Sequence, residues 1–181
     1  MIVLSGPSGA GKSTLAPRIA DSFPMSVHLR GDAFWHSIRK GFVVPWLSGS
    51  EHQNSVILGA LADTSRQYAS GGYAVVLDAI VSPWAIDRFI EAATDASIAL
   101  HYVILRPTVD EAIRRAIARP AGELVDSVAV AKVYETFSDL GGYEAHAMDT
   151  SGLSLEATSS ALLVDLARGR FLLSGLKVGR A

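Results

Sequence analysis

The run Gly6-Pro7-Ser8-Gly9-Ala10-Gly11-Lys12-Ser13 constrains this chain more than any other stretch. It has the spacing G-x-x-x-x-G-K-[ST], it follows the apolar run 1–4, and a helical pattern opens directly after it. That order predicts a short buried strand, a glycine-rich turn and the start of a helix. Gly6, Gly9 and Gly11 allow backbone conformations that a side chain forbids, so successive N–H groups can turn inward as an anion nest. The nest runs through Ser8, Gly9, Ala10, Gly11, Lys12, Ser13 and Thr14, and the helix adds the positive end of its dipole. Nucleotide phosphates suit such a site: Lys12 reaches the β- and γ-phosphates and Ser13 can ligate Mg2+.

With 181 residues, a single domain over 1–181 is expected, and 49% hydrophobic residues are enough for a substantial core. No uninterrupted apolar run approaches the roughly 20 residues that span a bilayer, so these residues fill a core rather than a membrane. The sequence has no cysteine, which excludes disulfides, thiolate metal sites and a thiol nucleophile. A formal net charge of −2 gives no broad basic surface for nucleic acid. Met1 leads straight into the first strand with no basic region before an apolar segment, so no secretion signal is read and a cytoplasmic location is expected.

Helical spacing of Leu15, Ile19, Ala20 and Phe23 predicts a helix over 12–23, with Pro17 bending it by removing the bond to the carbonyl of Ser13. A second strand is expected over 26–29, ending at Arg30-Gly31-Asp32, followed by a helix over 33–40 and a loop over 41–50. A long helix is read over 51–70, stopped by Gly71-Gly72, and then an almost wholly apolar strand over 73–78 that ends in Asp78. Further helices are read from Pro83 to about residue 96, after Thr108, over 126–137 and from the N-cap Ser154 to about residue 168; strands are read over 98–105 and 145–148. Residues 171–181 have no clear assignment. Alternating strands and helices imply an α/β fold with a parallel sheet covered on both faces.

Ligands of open α/β sheets bind beyond the carboxyl ends of the strands, and both Asp32 and Asp78 fall there. Asp78 can hold magnesium or bind an acceptor, or it can make a structural bond to the backbone of the glycine-rich loop. Asp32 can orient an acceptor oxygen and take its proton, or it can cap the helix that follows. The segment containing Trp35, His36, Arg39, Lys40 and Trp46 should form the acceptor side, with core packing as the other reading for Trp35 and Trp46 and the favoured one for Trp84. The five histidines lack metal-ligand spacing and read as structural or solvated.

The glycine-rich loop, the Arg30-Gly31-Asp32 turn and the Arg115-x-x-x-Arg119 pair occur in one order, and in that order the chain resembles the small P-loop kinases typified by gluconate kinase, shikimate kinase and chloramphenicol phosphotransferase, with the zeta toxins as larger relatives. The likeness covers roughly residues 1–165. It implies a three-layer α/β/α sandwich whose five-stranded parallel sheet has the order 2-3-1-4-5. It also implies ATP as donor, Lys12 and Ser13 as phosphate and magnesium ligands, and Asp32 facing the acceptor hydroxyl. Arg115 and Arg119 look like lid residues over about 115–125 that close on the transferring phosphate. Arg114 reads as a surface residue, because Asp110–Arg114 and Glu111–Arg115 are ordinary i, i+4 helix pairs.

Three functions follow from these readings. The first is an ATP-dependent phosphotransferase acting on a hydroxyl of a small metabolite or antibiotic, as monomer or homodimer. The second is a nucleoside monophosphate kinase resembling cytidylate kinase, with Arg30, Arg39 and Lys40 as anion clamps. The third is a nucleotide-dependent switch or ATPase.

Overall fold

The computed structural model describes residues 1–118 and 127–173. Strand β1 (Ile2–Ser5) is buried along its whole length, as an apolar run with no alternation requires, and it lies at the centre of a five-stranded sheet. Its neighbours are β3 (Ala74–Asp78) on one side and β4 (His101–Leu105) on the other; β2 (Ser26–Arg30) and β5 (Ala147–Met148) form the edges. Every pairing is parallel, and the order β2-β3-β1-β4-β5 is the expected one. The register sets Leu4 opposite Asp78 and Asp78 opposite Arg30, so the carboxyl ends of the three strands line up along one rim.

Helix α1 (Lys12–Ala20) packs Leu15, Ala16 and Ile19 into the core on one face of the sheet, and α7 (Leu155–Ala167) adds Leu162 and Leu166 to that core. Each fully buried side chain of this kind contributes about 1.5–3 kcal/mol. The opposite face is covered by α3 (Glu51–Ser70) and α4 (Asp87–Asp95), whose Leu61, Phe89 and Ile90 meet Val3, Leu77 and Ile104. The described residues also form α2 (Asp32–His36), α5 (Val109–Ile117) and α6 (Ser127–Glu135).

Several element ends differ from the sequence reading. α1 stops at Ala20 and runs through Pro17 as helix. The helix expected over 33–40 is the five-residue α2, which starts at Asp32 itself. Pro83–Ala85 forms a separate 3-10 turn before α4, and Trp84 on that turn is 70% exposed, so the core role favoured for it is not realised. β4 begins only at His101, where pairing with Ile2 begins, and β5 is reduced to two residues after a 3-10 segment over Gly141–His146. Ser154 caps α7 as expected, its Oγ accepting from the Ala157 N–H at 3.1 Å.

The start of the unassigned C-terminal segment has a clear role. Because β5 pairs only with Ile104 and Leu105, the lower half of β4 would present an open edge, and the chain covers it with residues 171–173. The Tyr102 N–H donates to the Phe171 carbonyl at 2.9 Å, the Leu173 N–H donates to the Leu100 carbonyl at 2.8 Å, and both Phe171 and Leu173 are buried. The remainder of that segment lies outside the described residues.

Candidate phosphate and acceptor site

The loop after β1 has the geometry of an anion cradle. Gly6, Gly9 and Gly11 have φ of 134°, 79° and 96°, a region costly for any residue with a Cβ. Gly9 also touches α5 so closely that an added Cβ would lie 1.9 Å from the Ala112 carbonyl oxygen. The N–H groups of Gly9, Gly11 and Ser13 donate to no acceptor among the described residues, which leaves three donors gathered at the start of α1. Lys12 is buried, and its Nζ donates to the carbonyls of Gly6 and Pro7, at 2.9 Å each, curling the ammonium over its own loop. Ser8 and Ala10 are buried in the loop wall, whereas Ser13 and Thr14 are exposed at its mouth.

Asp78 is 6% exposed, and its carboxylate accepts no hydrogen bond among the described residues. The structural bond to the glycine-rich loop weighed for it in the sequence is therefore absent. A buried carboxylate without donors is costly on its own, which is the condition of a group awaiting a cation or its waters. Asp78 with the exposed hydroxyl of Ser13 is a donor set that fits Mg2+, a hard cation that takes few protein oxygens when phosphates and water complete its shell.

Backbone contacts carry this rim across to the acceptor side. The Gly31 N–H donates to the Asp78 carbonyl at 2.8 Å, and a Cβ at Gly31 would fall 2.6 Å from the Ala79 Cβ, so a side chain there would push the strands' ends apart. Gly31 takes the capping position of α2, so Asp32 is not the cap: it lies in the first helical turn, exposed, with no hydrogen bond or ion pair among the described residues. The loop over 79–82 is held by a buried network in which Ser5 Oγ donates to the Val81 carbonyl at 2.7 Å and accepts from the Val81 N–H at 3.0 Å. The Tyr102 hydroxyl donates to the same carbonyl at 2.6 Å, and burial pushes its pKa well above the usual tyrosine value.

Trp35 packs partly into the core and donates its Nε1–H to Asn54 Oδ1 at 3.0 Å. Asn54 Nδ2 donates in turn to the Pro45 carbonyl at 2.7 Å, and Gln53 pairs with both backbone groups of Val43 at 2.8 and 2.7 Å. These two amides, unremarked in the sequence, clamp the loop between α2 and α3. The signal for them was their place in the first turn of α3, immediately after a loop rich in unpaired backbone groups. Trp46 is half-buried in the clamped loop, and Arg39, Lys40 and His36 are exposed.

Arg115 is already engaged: its guanidinium bonds Glu111 and donates to the Thr150 carbonyl at 3.1 Å. Glu111 Oε2 also accepts from the Gly152 N–H at 3.2 Å, and the Thr108 N–H donates to Ser151 Oγ at 2.8 Å. The first turns of α5 are thus fixed between the phosphate loop and the 149–152 turn, and Arg115 serves that joint rather than projecting into the cleft. Arg114 is exposed as expected, but pairs with Glu111 at 3.4 Å instead of Asp110. Arg119 and the rest of the expected lid from Pro120 to Glu123 lie outside the described residues. A separate groove of about 360 Å³ between α3 and α4, lined by Asp63, Arg66, Arg88 and Glu91, contains none of the candidate site residues.

A parallel sheet of this order with a glycine-rich loop wrapped over the first strand's end defines a P-loop nucleoside-triphosphate-binding fold. A family model described as an AAA domain matches residues 1–140, and the chain belongs to that family. Among solved structures, the APS kinase CysC of Mycobacterium tuberculosis, in complex with AMPPNP and APS, has a TM-score of 0.68 at 20% identity and covers 92% of this chain and 96% of its own. A gluconokinase from Sinorhizobium meliloti 1021 has a TM-score of 0.66 at 23% identity, covering 92% and 91%. The tunicamycin resistance protein of Deinococcus radiodurans has a TM-score of 0.63 at 20% identity, covering 94% and 96%. At these identities the likeness is one of fold, and it is the fold expected from the small P-loop kinases. No curated protein matches the chain. Among the described residues no helix is long and apolar enough to cross a membrane.

Proposed function

We propose that this chain is a phosphotransferase that moves the γ-phosphate of ATP to a hydroxyl of a small molecule, in the cytoplasm. The observation that carries this reading is the placement of Asp32: an exposed carboxylate with no side-chain partner among the described residues, one residue beyond the backbone bond that ties β2 to Asp78 at the rim of the phosphate cradle. A carboxylate needed only for structure would be capped or paired; one left open beside the phosphate site can accept a proton.

In the proposed reaction the acceptor oxygen bonds the γ-phosphorus in line as the bond to the β-phosphate oxygen breaks, ADP leaves, and the hydroxyl proton passes to Asp32. Lys12 turns from the Gly6 and Pro7 carbonyls to the phosphate oxygens, and the free N–H groups of Gly9, Gly11 and Ser13 hold the phosphate chain. Ser13 and Asp78 hold magnesium, which when bound neutralises charge on the phosphates. Trp35, Arg39 and Trp46 face the acceptor, on a wall set by Gln53 and Asn54. Arg119 is assigned to stabilise the charge of the transition state, and Arg115, bonded to Glu111 and the Thr150 carbonyl, fixes α5 beside the phosphate loop. Three neighbours of the same fold, a gluconokinase, an APS kinase and a tunicamycin resistance protein, support a small acceptor rather than a macromolecular one. The acidic balance argues likewise against nucleic acid.

A second reading, a nucleoside monophosphate kinase, is favoured by one observation: Arg30, Arg39 and Lys40 are exposed and form no ion pair among the described residues, so they are available as anion clamps. ADP release with ATP and Mg2+ across sugars, nucleosides, nucleoside monophosphates and antibiotics separates the two. Asp32→Ala should lower kcat for a hydroxyl acceptor by about 10²–10⁴-fold without changing Tm. Turnover of a monophosphate that survives the substitution would overturn the Asp32 role and promote the second reading.

A further inference from the structure

The geometry points to His28 as a positioning residue that donates a hydrogen bond to Asp78 and holds its carboxylate in the orientation that magnesium requires. This inference rests on the proposed reading in which Asp78 serves the metal. Strand alternation fixes which face His28 uses: Leu29 packs into the core under α3 and α4, so His28 points to the α1 face. Val76 packs with α1 in the other core, so Asp78, two residues on, shares that face with His28. The imidazole Nε2 lies 3.8 Å from Asp78 Oδ2, too far for a formed bond and close enough for a rotation of either side chain to make one.

Two facts make this more than proximity. His28 Nε2 is fully buried and has no hydrogen-bond partner among the described residues, so the ring presents a donor or acceptor that none of them satisfies. Asp78 is buried as well, and its carboxylate is equally without donors among the described residues. Each group is what the other lacks. With His28 in the tautomer that carries hydrogen on Nε2, a single bond satisfies both and leaves the second carboxylate oxygen free to face Ser13 and the phosphates. His28 sits on the edge strand β2, two strands away from β1 and the loop that follows it.

The test is calorimetric titration of Mg2+ into the full chain saturated with a non-hydrolysable ATP analogue, beside titration of the analogue in the absence of metal. His28→Ala should raise the Mg2+ concentration for half-saturation about tenfold, the usual loss when a ligand's supporting hydrogen bond is removed, and leave metal-free analogue affinity unchanged. His28→Gln, which keeps an N–H donor of similar reach, should recover most of that loss. An unchanged Mg2+ half-saturation in His28→Ala would overturn the inference, as would equal losses with and without metal, or a His28→Gln variant no better than alanine. If His28→Ala does not fold, the comparison of His28→Gln with His28→Leu decides by the same criteria. Asp78→Asn separates the two levels of the argument. If it keeps the wild-type Mg2+ response, the role of Asp78 fails and that of His28 with it; if it loses the response while His28→Ala retains it, only the role of His28 fails.

Discussion

β1 is buried at all four positions and the loop after it is shaped by backbone conformation, whereas β2 is only half-buried and the segment after it is held by the side-chain amides of Gln53 and Asn54. The two halves of one cleft therefore depend on different chemistry. On the phosphate side, the supports nearest the loop are a close approach and a buried bond: Gly9 against Ala112 and Ser5 against Val81. On the acceptor side, the supports are partly exposed and could be re-spaced by changing one or two residues. A triphosphate is the same object in every member of such a fold, and a fixed cradle suits it; an acceptor differs from one protein to the next, and an adjustable wall suits that.

Gly9→Ala attacks the phosphate side where it is tightest. The new Cβ meets the Ala112 carbonyl and the residue is held at positive φ, so a loss of about 2–4 kcal/mol in a urea melt and failure of nucleotide binding by calorimetry are expected. Wild-type nucleotide affinity in this variant would mean that the cradle is as adjustable as the acceptor wall, and the contrast would fall.

Ser5→Ala removes the hydroxyl that the buried Val81 N–H donates to, and with it a donor to the Val81 carbonyl beside the Tyr102 hydroxyl, with an expected loss of about 1–3 kcal/mol in the same melt. Asn54→Ala is the matching test across the cleft. It strands the Trp35 Nε1–H and leaves the Pro45 carbonyl with the Ser50 hydroxyl as its donor among the described residues, for about 1–2 kcal/mol. Here the larger effect should fall on the acceptor KM, which is expected to rise about tenfold while the KM for ATP stays put. Equal changes in both constants would show that the wall and the cradle are one mechanical unit.

Acid gives the smallest effect and sharpens the contrast further. Hydrogen bonding from Arg106 holds the Glu144 carboxyl below its usual range, and bonds from Ser151 do the same for Asp149; both groups belong to the β4–β5 end of the sheet. A carboxyl whose folded pKa is depressed contributes stability that is complete above its unfolded value, near 4, and is lost as pH falls through the folded value. The contribution of these two carboxyls to Tm should therefore be flat between pH 7 and about 5 and decline below about 4, on top of the loss that begins near the usual imidazole value because burial holds the His101 pKa below it. Glu144→Gln should make that decline shallower, as differential scanning calorimetry would show, and Asn54→Ala should leave its slope unchanged.

The readable part of the fold was the part set by local pattern. Apolar runs marked β1, β3 and β4, the glycine-rich loop marked their relation to α1, and Asp78 stood at the end of its strand as the pattern said. What escaped the pattern lies between elements distant in sequence. Trp84 is apolar but follows Pro83 in a turn that faces solvent, so composition suggested burial where the turn forbids it. Arg115 has helical spacing suited to a lid, yet its guanidinium reaches Thr150, a contact that exists only because β5 returns the chain beside α5. His28 read as one scattered histidine until the β2–β3 register set it beside Asp78.

By itself, then, the sequence determined a phosphate-binding loop on a parallel α/β sheet, because backbone conformation at glycines and burial of apolar strands are dictated within a few residues, while the strand order was implied by the resemblance to the small P-loop kinases. Only the tertiary structure decided which side chains meet at the rim: that among the described residues Asp78 is buried without a donor and Asp32 has no side-chain partner, that Gln53 and Asn54 clamp the acceptor loop, and that residues 171–173 close the exposed edge of β4. Those outcomes depend on strand register and crossover, and a hydrogen bond of about 3 Å is made or missed by a shift of one residue that no local pattern can specify.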